Sequence, residues 1–110
     1  MLAHSLLAVA VLQQAIGAST AAPDTSAMHK RGEELLTTNC ASCHAVGRTG
    51  DSIHKDAPTF RSLSKRYPIE TLAESLAEGL FTGHPDMPEY TFEAPDVGAI
   101  LAYLESIQER

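Results

Sequence analysis

Tryptophan is absent from this 110-residue chain, and the remaining aromatic supply is three Phe and three Tyr. A chain of this length buries only about 60–65% of the surface that its unfolded form exposes, enough for one small core. With so few aromatic rings, something other than side chains is expected to help fill that core. Long apolar runs are missing too: none approaches the ~20 residues of a membrane span, which excludes a multispan membrane protein. No block of Lys or Arg occurs, and 8 basic residues stand against 14 acidic ones for a net charge of −6. That balance leaves no electrostatic footprint for nucleic acid. Strict apolar–polar alternation never lasts beyond about four residues, so strands are not expected. Disorder is excluded from the other side, because a hydrophobic fraction of 44% is near the globular average. Cysteine is scarce as well, with Cys40 and Cys43 the whole complement. A bridge between them closes almost no loop and stabilises little. The pair reads as chemistry rather than as a staple.

Charge is also lacking at the start of the chain. Residues 1–23 contain no Asp, Glu, Lys or Arg, and Leu6–Leu12 form an apolar run of seven. Gln13 and Gln14 follow, then small residues from Ala15 to Ala22 ending at Pro23. A short hydrophobic core before a small-residue region is the layout of a secretory signal peptide. Ser19-Thr20-Ala21 fits the small-x-small rule, which places cleavage after Ala21, although His4 stands where Lys or Arg is usual. A retained anchor is the alternative, but seven apolar residues are too few to span a bilayer. The expected organisation is a cleaved leader over 1–21 and one exported, periplasmic domain over 22–110, with no stable membrane insertion afterwards.

The mature chain reads as all-α with long loops. A first helix is predicted over about Ala27–Thr38, where Met28, Leu35 and Leu36 share a face with Gly32. Gly in mid-helix costs about 1 kcal/mol relative to Ala, so close approach of another element is its expected reason. A second helical stretch runs from Pro68 to Gly79, with Pro at its first turn and Gly at its end. Ile69, Leu72, Ala73 and Leu76 form its apolar stripe, and Glu70, Glu74 and Glu78 the outer one. The last helix, about Pro95–Gln108, buries Val97, Ile100, Leu101, Leu104 and Ile107. Between them, residues 45–60 and 82–95 are irregular. Loops of ~14 residues are uncommon in a small bundle unless they wrap something.

Cys40-Ala41-Ser42-Cys43-His44 is C-x-x-C-H, the attachment signature for c-type haem. Two thiols at that spacing reach the two vinyl groups of one porphyrin, and the histidine after them supplies an imidazole to the iron. A thioredoxin-like dithiol shares C-x-x-C but needs a βαβ context, and no strand pattern precedes Cys40. A zinc site needs four ligands, and His54 and His84 are the only further Cys or His downstream.

With that motif the chain resembles the class I (monohaem) cytochromes c. The resemblance covers most of residues 28–107: Gly32-Glu33-Glu34-Leu35 ahead of Cys40, the motif itself, a later proline, Met87-Pro88, and Ile100-Leu101-Ala102-Tyr103-Leu104 near the end. It implies a small fold of three or four helices whose long loops wrap one covalently attached haem c and its iron. The first and last helices would cross, with Gly32 touching Tyr103. The resemblance also implies His44 and Met87 as the two axial iron ligands, and Pro58 as the residue whose carbonyl receives the proton of His44. Thioether with imidazole is the usual pair in such proteins. A stiff loop, Gly83-His84-Pro85-Asp86-Met87-Pro88, suits the presentation of a thioether. His54 and His84 are the alternative sixth ligands, Met87 is otherwise an apolar gap-filler, and Pro58 is otherwise a turn proline. Phe60, Leu63, Leu72, Leu76, Tyr90 and Phe92 are candidates to pack against the haem or the core.

Iron with both axial positions filled gains and loses an electron and has no open site for substrate. The function implied is a monomeric, non-enzymatic carrier of single electrons. Its redox-partner proteins would be a donor dehydrogenase or respiratory complex and an acceptor oxidase or reductase. A haem-based sensor or peroxidase-like domain with a labile sixth ligand is one alternative, and a fixed subunit of a dehydrogenase complex another. Charge is uneven along the chain. Arg48, Lys55, Arg61, Lys65 and Arg66 outweigh Asp51 and Asp56 over residues 48–66, whereas nine acidic residues and no Lys or Arg occupy Tyr67–Glu109. Either segment is a candidate docking surface, and the whole-molecule charge favours a partner with a basic patch.

Overall fold

Helix formation in the computed structural model, which describes residues 10–13, 17, 24–79 and 85–110, begins at Asp24. Its carboxylate accepts a hydrogen bond from the Ser26 amide at 3.1 Å, and its carbonyl one from the Met28 amide. Both contacts satisfy donors that the first turn leaves unpaired. Helix α1 then runs Thr25–Cys40, two residues longer at each end than its apolar pattern predicts. The extension matters at the far end, where the helix delivers Cys40. The expected second helix is split: a 3₁₀ turn over Ile69–Thr71 leads into α2, Leu72–Glu78. The third, α3, spans Ala94–Ile107, with Pro95 in its first turn, where a missing N–H costs nothing. A further 3₁₀ segment, Phe60–Lys65, carries no sequence cue beyond the spacing of Phe60 and Leu63. Among the described residues there is no strand. No helix there is long and apolar enough to cross a membrane. The predicted leader lies outside the described residues, except for residues 10–13 and 17.

The core forms where α1 packs across α3. Leu36 from α1 meets Val97, Ile100, Tyr103, Leu104 and Ile107 from α3, with Phe60, Leu63, Ile69 and Leu76 joining from the shorter segments. The periodic residues of α3 are therefore inside, except that Leu101 is half-buried and Ala99 takes a buried place instead. The reason is Gly32. A Cβ there would collide with the Ala99 carbonyl oxygen and lie 2.7 Å from Tyr103 Cβ. Only hydrogen fits, so the two backbones approach closely and Ala99 is covered. This accounts for a glycine that propensity disfavours.

Gly32→Ala is expected to destabilise the haem-loaded protein by about 1–3 kcal/mol, the cost of overpacking. The clash is with backbone, so this outweighs the ~1 kcal/mol that alanine contributes in a helix. Thermal unfolding should show it as a fall of about 4–8 °C per kcal/mol. An unchanged or raised midpoint would remove the helix contact as the reason for this glycine.

The chain's end is fastened to the 3₁₀ segment. Gln108 donates to the carbonyls of Phe60 and Leu104 and accepts from the Ser64 amide. Arg61 and Lys65 both reach the carboxylate of Glu109, and their hydrogen bonds hold its pKa below the usual carboxylate value. Phe60 and Leu63 are thereby set in the core, beside a cavity that both also line.

Candidate functional site

Helix α1 ends at Cys40, and the chain continues to wind through the motif. The amides of Cys43 and His44 both donate to the Cys40 carbonyl, at 3.2 and 2.9 Å. One tight turn therefore brings both thiols and the imidazole together, which five consecutive residues on an extended chain would not do. Both cysteines are unpaired and half-buried. Burial, with Cys43 nearby, pushes the Cys40 thiol up to about 11. Dithiol oxidoreductases depend on a lowered thiol pKa, so this environment is the wrong one for exchange chemistry.

The imidazole of His44 is held from one side. Its Nδ1–H donates to the Pro58 carbonyl at 2.7 Å, which leaves the lone pair on Nε2. Fixing a metal-binding histidine through its other nitrogen sets its tautomer and its ring orientation. The ring also stacks on Phe60, with centroids 4.6 Å apart and planes inclined by 28°. The loop between motif and proline is closed by its own bonds: the Ala45 amide donates to Ser52 Oγ, the Phe60 amide to the Ala45 carbonyl. Tyr103 reaches the same loop, donating its hydroxyl to the Val46 carbonyl at 2.7 Å. The pKa of that phenol is raised, chiefly by burial and further by Glu33.

Cys40, Cys43, His44 and Pro58 line a cavity of about 700 Å³, and Met87 lines the same cavity. So do Phe60, Leu63, Leu72, Leu76, Tyr90 and Phe92, the residues assigned from sequence to haem or core. The volume lies within the range of cofactor pockets, roughly 300–1,000 Å³, and the wall is mostly apolar with a few polar groups. A large, flat, apolar group with two reactive vinyls and an iron that takes imidazole fits such a donor set. Sequence reasoning did not find the polar margin of this cavity, which includes Asn39, Arg66, Tyr67, Thr71 and Ser75. Tyr67, Thr71 and Ser75 do recur every four residues, but as polar residues they lie outside the apolar stripe that marks the second helix, and Asn39 and Arg66 share no spacing with them. His54 also lines the cavity, whereas His84 lies outside the described residues.

A sequence model of the family described as Cytochrome c matches residues 29–108. The chain belongs to the cytochrome c family. A curated relative, Cytochrome c-552 of Bradyrhizobium diazoefficiens, is 32% identical over 91 residues, covering 83% of this chain and 86% of the relative. No solved structure matches. As a cytochrome c, the protein binds haem c, covalently attached and containing iron, and works in haem-based electron transfer.

Proposed function

We propose that this cytochrome c is an exported, periplasmic carrier of single electrons, non-enzymatic and monomeric, formed by residues 22–110 after loss of a leader over 1–21. His44 Nε2 and Met87 Sδ would ligate the iron, Cys40 and Cys43 would form the thioethers, and Pro58 orients His44. The observation that carries this reading is the placement of His44, tautomer-locked by Pro58 at 2.7 Å, in one cavity with Met87. When bound, haem iron supplies a reversible one-electron couple. The protein's part would be to hold the iron through His44 and Met87 and to surround it with a mostly apolar wall. His44 cannot rotate without breaking its bond to Pro58, and Phe60 blocks one face of its ring. The apolar wall excludes water, while thioether ligation places the potential towards the positive side of the c-type range.

The reading is tested by the visible spectrum and its response to carbon monoxide. A low-spin ferrous spectrum indifferent to carbon monoxide is expected. Ready formation of a carbon monoxide complex would point instead to a sensor or peroxidase-like site. Purification only as part of a larger assembly would make the chain a fixed subunit.

The partner is proposed to carry a basic patch. The basic run over residues 48–66 is largely exposed, but much of its charge is engaged within the chain: Arg61 and Lys65 pair with Glu109, and Arg48 donates to the Ser106 carbonyl. Glu70, Glu74 and Glu78 also stand exposed, along the segment whose Leu72 and Leu76 line the cavity. Acidic charge beside the cavity wall steers a basic partner towards it. The rate of electron exchange with a small basic redox protein should fall about ten-fold between ~0.01 and ~0.15 M ionic strength, where the screening length shrinks from ~30 to ~8 Å. A rate that rises with salt would assign docking to the Lys55–Arg66 region.

A further inference from the structure

The segment that presents Met87 is pinned on both sides, and the two pins lead to different parts of the fold. After Met87, the Phe92 amide donates to the Leu76 carbonyl at 2.8 Å. Glu89 also lies over Gly79, where φ is +128° and any Cβ would strike the Glu89 carboxylate. These contacts tie the segment to the end of α2. Immediately before Met87, the Asp86 carboxylate is bonded to His54 Nε2 at 3.1 Å. His54 belongs to the loop after the haem-attachment motif, and its backbone amide donates to the Cys43 carbonyl at 3.0 Å. One residue therefore registers the Met87 segment directly against the cysteine motif.

The ring of His54 is set for this task before Asp86 arrives. Its Nδ1 accepts the Asp56 amide at 3.1 Å, so the ring proton sits on Nε2, facing the carboxylate. Its backbone carbonyl accepts the Ala57 amide at 3.1 Å. The His54 side chain is only 27% exposed against 67% for Asp86, so the fixed partner is the histidine and the captured one is the Met87 segment. A donor held this rigidly loses little entropy when the bond forms. His54 carries no signal of this role in the sequence, since Asp86 lies 32 residues away.

We infer that His54 is a positioning residue for the sixth iron ligand: through Asp86 it holds the Met87 segment closed, and so sets how readily Met87 leaves the iron. The inference rests on Met87 being that ligand. Exogenous imidazole enters the ferric site only when Met87 has left, so its apparent affinity scales with the fraction of protein in the open form.

The test is an imidazole titration of the haem-loaded ferric protein. It is followed by the far-red absorption band that a thioether ligand gives ferric haem, with thermal unfolding measured in parallel. His54→Ala and Asp86→Ala are each expected to tighten imidazole binding about five-fold, the factor that a net hydrogen bond of ~1 kcal/mol represents. The double variant should bind no more tightly than either single one, because both remove the same contact. His54→Gln places an amide N–H near the position of Nε2 and should restore the original affinity. Unchanged affinity in both alanine variants would overturn the inference, as would simple additivity or a failure of His54→Gln to rescue. Met87→Ala separates the two levels. If it abolishes the far-red band while His54→Ala and Asp86→Ala leave imidazole binding untouched, Met87 is the ligand and His54 does not position it. If Met87→Ala leaves the band intact, the ligand reading itself falls, and the role of His54 with it.

Discussion

Replacing Cys40 and Cys43 by serine is expected to abolish covalent haem and, with it, most of the helical fold. The cavity lined by these cysteines measures about 700 Å³. At about 24 cal/mol per Å³, leaving such a space unfilled costs at most about 17 kcal/mol, more than the 5–15 kcal/mol by which domains are stable. Collapse would lower that cost. However, Phe60, Leu63, Leu76, Ile100 and Leu104 face both core and cavity, so collapse would unpack the core they build. A group that binds only the native state contributes its binding free energy to folding. Circular dichroism and thermal unfolding of the double variant check this. A haem-free chain that stays helical and melts cooperatively would show that the protein fills its own core.

Met87→Ala is expected to leave the fold in place and open the iron to carbon monoxide and cyanide. Their apparent affinity should rise about a hundred-fold, the suppression lifted when a site closed ~99% of the time becomes open. Met87→His should instead keep six-coordination and lower the reduction potential, because imidazole favours ferric iron more than a thioether does. Ligand titrations and a spectroscopic redox titration measure both. An unchanged spectrum in Met87→Ala would remove Met87 from the iron and move attention to the histidines. Of these, His54 already has both ring nitrogens in hydrogen bonds, to Asp86 and to the Asp56 amide.

Much of the fold was legible because helices announce themselves locally. The stripes of α1, α2 and α3 repeat every three to four residues, and Pro68, Gly79 and Pro95 mark boundaries through their own backbone limits. The 3₁₀ segment Phe60–Lys65 was not legible. Six residues carry too little periodicity, and the bonds that hold it come from Gln108 and Glu109, more than 40 residues away. Gly32 lay between these cases: its cost in a helix signalled a close neighbour, but identifying the Ala99 carbonyl as that neighbour required the packed pair of helices.

The site divides along the same line. The sequence by itself determined the chemistry available: two thiols and an imidazole within five residues, a methionine between prolines 43 residues on, and too few aromatics to close a core. Those are matters of residue type and short spacing, which no later folding step can alter. Only the tertiary structure decided how that chemistry is held. It directs the Nδ1–H of His44 to Pro58, gathers Arg66, Tyr67 and Thr71 onto the cavity margin, and joins Asp86 to His54. Such contacts link residues 14 to 32 positions apart through loops of irregular backbone. Their geometry is set by where the packed helices leave the loop ends, a quantity that no local pattern encodes.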